Sequence, residues 1–191
     1  VLPNYIGILL KSTDGATIQD NTVVGNRQSA IQLQGDSRDN VIKGNRLGLN
    51  SDDKPMHNLV GISMWQNAKN NTVENNVIAH SQRYGIALFN KVQGATIVGN
   101  SIYENNGAGI AMSAEANLGH AEPELTMVTE DGISGKLQGA ANEQFRIEYF
   151  ASAHLSDGST DQYAAKKLLG AQTVTTDASG HADLKLDVAV P

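Results

Sequence analysis

Apolar residues recur over the first 112 positions in short alternating pairs. Ile8/Leu10, Ile31/Leu33, Ile62/Met64, Ile86/Leu88 and Ile110/Met112 follow one another at intervals of 23, 31, 24 and 24 residues. Glycine stands directly before four of these isoleucines, as Gly7, Gly61, Gly85 and Gly109. A second apolar column, Ile18, Ile42, Val73 and Ile97, is followed three residues later by Asn21, Asn45, Asn76 and Asn100. Two residues further on come Val23, Leu47, Ile78 and Ile102, and after them Asn26, Asn50, Ser81 and Asn105. The interval of 31 reads as one 24-residue unit plus about seven extra residues, placed at 51–58.

Each unit therefore offers three short apolar segments with a period of two, punctuated by Gly and Asn, which predicts three short strands and no helix. A unit of this size has no core of its own. Stacked at about 4.8 Å, like residues lie over like and the repeated columns build one continuous core. Asparagine at the repeated turn position is expected to take the left-handed conformation of a sharp corner. Its stacked amides are expected to hydrogen-bond from coil to coil.

The stretches Asn70-Asn71-Thr72-Val73-Glu74-Asn75-Asn76-Val77-Ile78 and Ala95-Thr96-Ile97-Val98-Gly99-Asn100-Ser101-Ile102-Tyr103-Glu104-Asn105 resemble parallel β-helix repeats of the NosD-like and pectate-lyase-like superfamily. The resemblance covers residues 5 to about 115. It implies a right-handed parallel β-helix, here of about five coils, and says little about function, since lyases, hydrolases, epimerases, adhesins and accessory proteins share that architecture.

Composition divides the chain. Of 18 asparagines, 17 lie at or before Asn117. Residues 1–119 hold nine acids and nine bases, while 120–191 hold eleven acids and five bases, so the net charge of −6 belongs to the second part. The expected domains are therefore a β-helix over 1–119 and a second domain over 120–191. In the second part, Phe145, Ile147 and Tyr149 alternate on one strand. A segment 172–176 and a turn 177–180 precede the alternating run 182–188. The all-β fold expected there is a small Ig-like β-sandwich, similar to modules that follow β-helices in bacterial surface proteins. The further strand expected after Pro191 is absent: either the sequence stops short of it, or the sandwich has fewer strands, or an open edge is completed by a neighbouring chain or the native continuation. The chain is accordingly expected to be a piece of a longer protein.

The acidic balance argues against nucleic acid as a partner, and no apolar run is long enough for membrane insertion as a helix. The absence of cysteine excludes disulfides and thiolate metal sites. His57, His80, His120, His154 and His181 are scattered, so no metal site is expected. The loop Asp157-Gly158-Ser159-Thr160-Asp161 has oxygen donors but not the spacing or terminal glutamate of a calcium loop, and no cofactor is assigned.

Candidate chemistry lies on the outer columns. Glu74 beside Lys43 is the best catalytic alternative, yet one carboxylate falls short of the pair that glycoside hydrolysis uses. Trp65 and Phe89, 24 residues apart, should lie on adjacent coils. With Gln32, Gln34, Gln66 and Asn90 around them they resemble a sugar-stacking surface that the insertion would wall. The competing reading is a satellite core, with Pro55, Met56 or the second domain over both rings. The expected function is a non-catalytic, exported bacterial surface or adhesin-type module. It would be extracellular, at the cell surface or periplasmic, and would bind a polysaccharide or glycan through the outer β-helix face. The alternatives are a fragment of a polysaccharide lyase, hydrolase or epimerase, and a self-assembling filament subunit.

Overall fold

In the computed structural model, residues 2–119, 123–152 and 165–189 are described. The oxygen-rich polar loop at 157–161 and the chain's last two residues, after which a further strand is expected, lie outside them. The chain divides into two compact units, Val1–Gly119 with Ser152–Lys166, and His120–Ala151 with Lys167–Pro191.

The first unit is a parallel β-solenoid. Its coils contribute β1 (Ile8–Lys11), β2 (Thr17–Gln19) and β3 (Thr22–Val23), then β4 (Ser29–Gln34), β5 (Val41–Lys43) and β6 (Arg46–Leu47). Next come β7 (Val60–Met64), β8 (Thr72–Glu74) and β9 (Val77–Ala79), then β10 (Ile86–Leu88), β11 (Thr96–Val98) and β12 (Ser101–Tyr103), and last β13 (Ile110–Met112). Among the described residues this makes four complete turns and a fifth strand in one sheet only, fewer than the five coils expected. The sheets run β1-β4-β7-β10-β13, β11-β8-β5-β2 and β12-β9-β6-β3. Register is strict: Ile31, Ile62, Ile86 and Ile110 are successive partners.

Inward columns form the core. Ile31, Leu33, Ile42, Leu47, Ile62, Met64, Val73, Ile78, Ile86 and Leu88 are all essentially inaccessible. Gly7, Gly61 and Gly85, at the start of the first strand in three of the coils, answer a close approach. A Cβ on Gly85 would stand 2.6 Å from the Gly109 carbonyl oxygen and 2.7 Å from Ile102, so a side chain there would push the coils apart.

The asparagine ladder forms, but by a different device from the one expected. Asn21, Asn45, Asn76 and Asn100 do not carry the left-handed backbone; the residues before them do, Asp20, Gly44, Asn75 and Gly99, with φ of 57°, 62°, 55° and 64°. That corner turns the next side chain inward. The amide oxygens of Asn45, Asn76 and Asn100 accept the main-chain N–H of the ladder asparagine one coil earlier at 3.0, 2.9 and 3.0 Å. The side-chain nitrogen of Asn76 donates to the carbonyls of Ile42 and Glu74 and to the Asn100 amide oxygen. Buried polar groups are thereby satisfied at a tight corner where the backbone cannot serve itself.

Asn50 is absent from the outer asparagine column. Asn58 takes its place, accepting from the Asn26 main chain at 3.0 Å. The extra residues therefore end before Asn58, and Asn50 instead organises the insertion, its side-chain oxygen accepting from the main-chain N–H of Asp52 and Lys54.

The last coil is closed by two short pieces of chain. In the 3₁₀ turn Ala116–Gly119, Ala116 is fully buried in the coil core. The amide oxygen of Asn117 accepts from Ala95 at 2.9 Å. Ala165 forms an antiparallel bridge with Ile102.

The second unit consists of antiparallel sheets. One sheet orders β14 (Glu124–Thr129), β15 (Gly132–Gln138) and β18 (His181–Asp187), and the other pairs β16 (Gln144–Ala151) with β17 (Lys167–Thr175). Ile133, Leu137 and Leu184 from the first sheet and Tyr149 from the second form its buried centre, with Phe145 and Ile147 packed against it.

Candidate functional site

The sheet β1-β4-β7-β10-β13 ends, coil after coil, on the column Lys11, Gln34, Trp65, Phe89 and Ser113. The Trp65 N–H donates to the Leu33 carbonyl, Phe89 N–H to Met64, and Ser113 N–H to Leu88. Equal coil length thus sets the two rings one above the other, their centroids 5.1 Å apart and their planes inclined by 55°. At that tilt they form one packed pair, not two parallel platforms. Tyr84, which enters the same sheet from its other end, lies edge-on to Phe89 at 6.2 Å, and the Arg83 guanidinium lies 5.4 Å from the Tyr84 ring centre.

All three rings are half-buried. Beneath them the outward column is small: Ser63 and Ala87 retain only 2% and 1% exposure. The aromatic residues therefore act partly as an external satellite core, and each keeps part of its surface accessible. The Trp65 Nε1 and the Oε1 of the buried Gln32 are inaccessible and without a hydrogen-bond partner. The side-chain amide of Gln32 donates to Gln34 at 2.8 Å.

Exposed Gln66 and Asn90 lie in the turns next to the rings. In both turns two consecutive residues are left-handed, Gln66 and Asn67 at 57° and 66°, Asn90 and Lys91 at 58° and 62°. Gln and Lys gain nothing from that conformation, and each such residue costs about 1 kcal/mol or more. The equivalent turn one coil earlier uses Gly35. Strained non-glycine residues thus stand on the two coils that carry Trp65 and Phe89.

The insertion does not wall this face. It folds over the other end of the coil, where Met56 N–H donates to Gly48, Gly25 N–H donates to Met56, and His57 Nδ1 lies 2.7 Å from the His80 carbonyl oxygen. Pro55 bridges Leu49. Lys43 and Glu74 are register partners on β5 and β8, both half-buried. Their neighbours along the column are Gln19 and Val98, so no second carboxylate joins them.

A polar groove that the repeat pattern did not single out lies on the outer face of β12-β9-β6-β3. Arg46, Val77 and Ser101 are register neighbours on its floor. Leu49 and, from the insertion, Asp53 border it, together with His80, Tyr103, Glu104 and Lys166, and its volume is about 480 Å³. His80 Nε2 is 3.2 Å and Lys166 Nζ 3.5 Å from the Glu104 carboxylate, and Arg46 pairs with Asp53. Burial holds the His80 imidazole below its ordinary pKa of 6.5, against the opposing pull of Glu104. Sequence reading missed the groove because its parts come from three distant segments.

Among the described residues no group of three His, Asp or Glu is placed to hold a metal ion, and no helix is long and apolar enough to cross a membrane. Compared with known families, residues 3–122 match the right-handed β-helix region. No curated protein matches the chain.

Proposed function

The chain belongs to the right-handed β-helix family, and from that premise we propose that it is a non-catalytic carbohydrate-binding module whose ligand rests on the Trp65–Phe89 face. The observation that carries the reading is this pair of half-exposed rings, set by coil register and bordered by the exposed amides of Gln66 and Asn90. Aromatic faces take up the C–H side of a sugar ring while neighbouring amides hydrogen-bond its hydroxyls. Because the rings pack at 5.1 Å and a steep tilt, the face holds one sugar ring, not a run of them. Gln34 supplies a third amide on the coil before Trp65.

In this reading the coils are a rigid support, placed among the NosD-like and pectate-lyase-like branches of the family, and the second unit is an Ig-like module. An exported location at a bacterial surface follows from the same resemblance. A glycan array followed by calorimetry tests the function. Binding that Trp65→Ala reduces by roughly tenfold or more, and that Gln66→Ala and Asn90→Ala weaken less, is the expected result. Absence of binding to every glycan, or binding indifferent to Trp65, overturns it. Phe89→Leu, which keeps the buried volume, separates a lost ligand face from a lost satellite core.

A further inference from the structure

We infer that the groove on the outer face of β6, β9 and β12 is a second binding site, for a ligand bearing a carboxylate, with Arg46 as its anchor. Arg46 is positioned before any ligand arrives: its Nε donates to the Asn50 carbonyl at 3.3 Å, which aims the outer guanidinium nitrogens at Asp53. Asp53 sits on the insertion, with φ of 61° and a side chain 81% exposed. It is a carboxylate that the chain itself supplies to Arg46, and guanidinium recognises carboxylates by the same paired geometry whatever their source. An ion pair with its carboxylate this open to water contributes little, so an incoming carboxylate displaces it readily.

The opposite side of the groove is equally built. Lys166 is held by its backbone, whose carbonyl accepts the Ser101 hydroxyl at 2.6 Å, while Ala165 and Ile102 exchange main-chain hydrogen bonds. Its ammonium lies 4.4 Å from the Tyr103 ring centre, a cation–π contact, and 3.5 Å from Glu104. Once Asp53 moves aside, two cations, Arg46 and Lys166, line the groove with a single carboxylate, Glu104. The groove is then a cationic spot on a chain of net charge −6. Ser101 and Tyr103 add neutral hydroxyls.

Succinate is a suitable probe, with succinamide as its uncharged counterpart and sulfate as a competing anion. Titrated into the full chain and followed by NMR, succinate is expected to give saturable shifts confined to the groove residues. Arg46→Gln should weaken it by about tenfold, the value of one charge-assisted hydrogen bond. Asp53→Asn should tighten it by roughly two- to fivefold, because the internal competitor is gone. Trp65→Ala should leave it unchanged, which keeps this site separable from the sugar-binding face. Equal binding of succinamide, displacement by an equal concentration of sulfate, or affinity indifferent to Asp53→Asn in a variant that melts like the parent would each overturn the inference.

Discussion

Asn76 shows what one residue does in this fold. It is 1% exposed, its side-chain nitrogen donates to two carbonyls and to the next ladder amide, and its oxygen receives both the main-chain and side-chain N–H groups of Asn45. Asn76→Ala therefore strands several buried groups at once, each costing about 1–3 kcal/mol, and partial relaxation brings the expected loss to roughly 3 kcal/mol. Denaturant unfolding of the variant measures it, and a loss below 1 kcal/mol would contradict the ladder's role. The position of this residue was legible in the repeat. The device was not, because sequence spacing cannot distinguish a left-handed corner from the residue just after it. Gly44 and Gly99, which precede two of the ladder asparagines, were the signal that could have resolved it. Trp65 and Phe89 were legible for the opposite reason: equal coil length converts a sequence interval directly into a distance. Their tilt and half-burial depend also on Tyr84, which lies edge-on to Phe89 and stands outside the repeated columns.

Single elements differ in how far local pattern governs them. β7 and β10 follow from alternation and glycine placement, and β4, which has Ala30 where they have glycine, from alternation alone. The closure of the stack does not. Ala165 adds to the outer edge of β12 through hydrogen bonds in both directions, although some sixty residues separate it from Ile102. An unpaired strand edge is a template for wrong association, and covering it is one way a solenoid ends safely. Ala165→Pro removes the N–H that reaches the Ile102 carbonyl. The expected result is a coil unit less stable by about 1–2 kcal/mol, read by thermal melting, with Ile102 amide exchange accelerated before that of β9. If the Ile102 amide exchanges as slowly as in the parent, the bridge does not close the edge. The insertion is the other element that escaped the pattern. Its length was visible, but the choice between Asn50 and Asn58 as ladder residue rested on which asparagine the hairpin Leu49–Pro55 needed for its own turn.

The whole molecule joins a coil stack, whose contacts are local in register, to a unit of antiparallel sheets. Within the stack every strand of β4 to β10 has a neighbour on both sides, whereas β1, β2 and β3 have one. Protection in native-state hydrogen exchange should accordingly peak in β4, β7 and β8 and fall toward β1, β2 and β3. A flat profile would mean that the stack opens only as a unit. The sequence by itself determined the periodic part: parallel coils, their three strands, the inward columns, and the adjacency of Trp65 to Phe89. It could do so because a solenoid repeats one geometric relation, so spacing along the chain becomes position in space. Tertiary structure alone decided where the chain leaves that relation. It carried Lys166 to Glu104 and Tyr103, laid the insertion against Gly25 and Gly48 and away from the rings, and gathered Arg46, His80 and Lys166 around one groove. Those contacts join segments of unequal length and no common period, and only the packed chain brings them together.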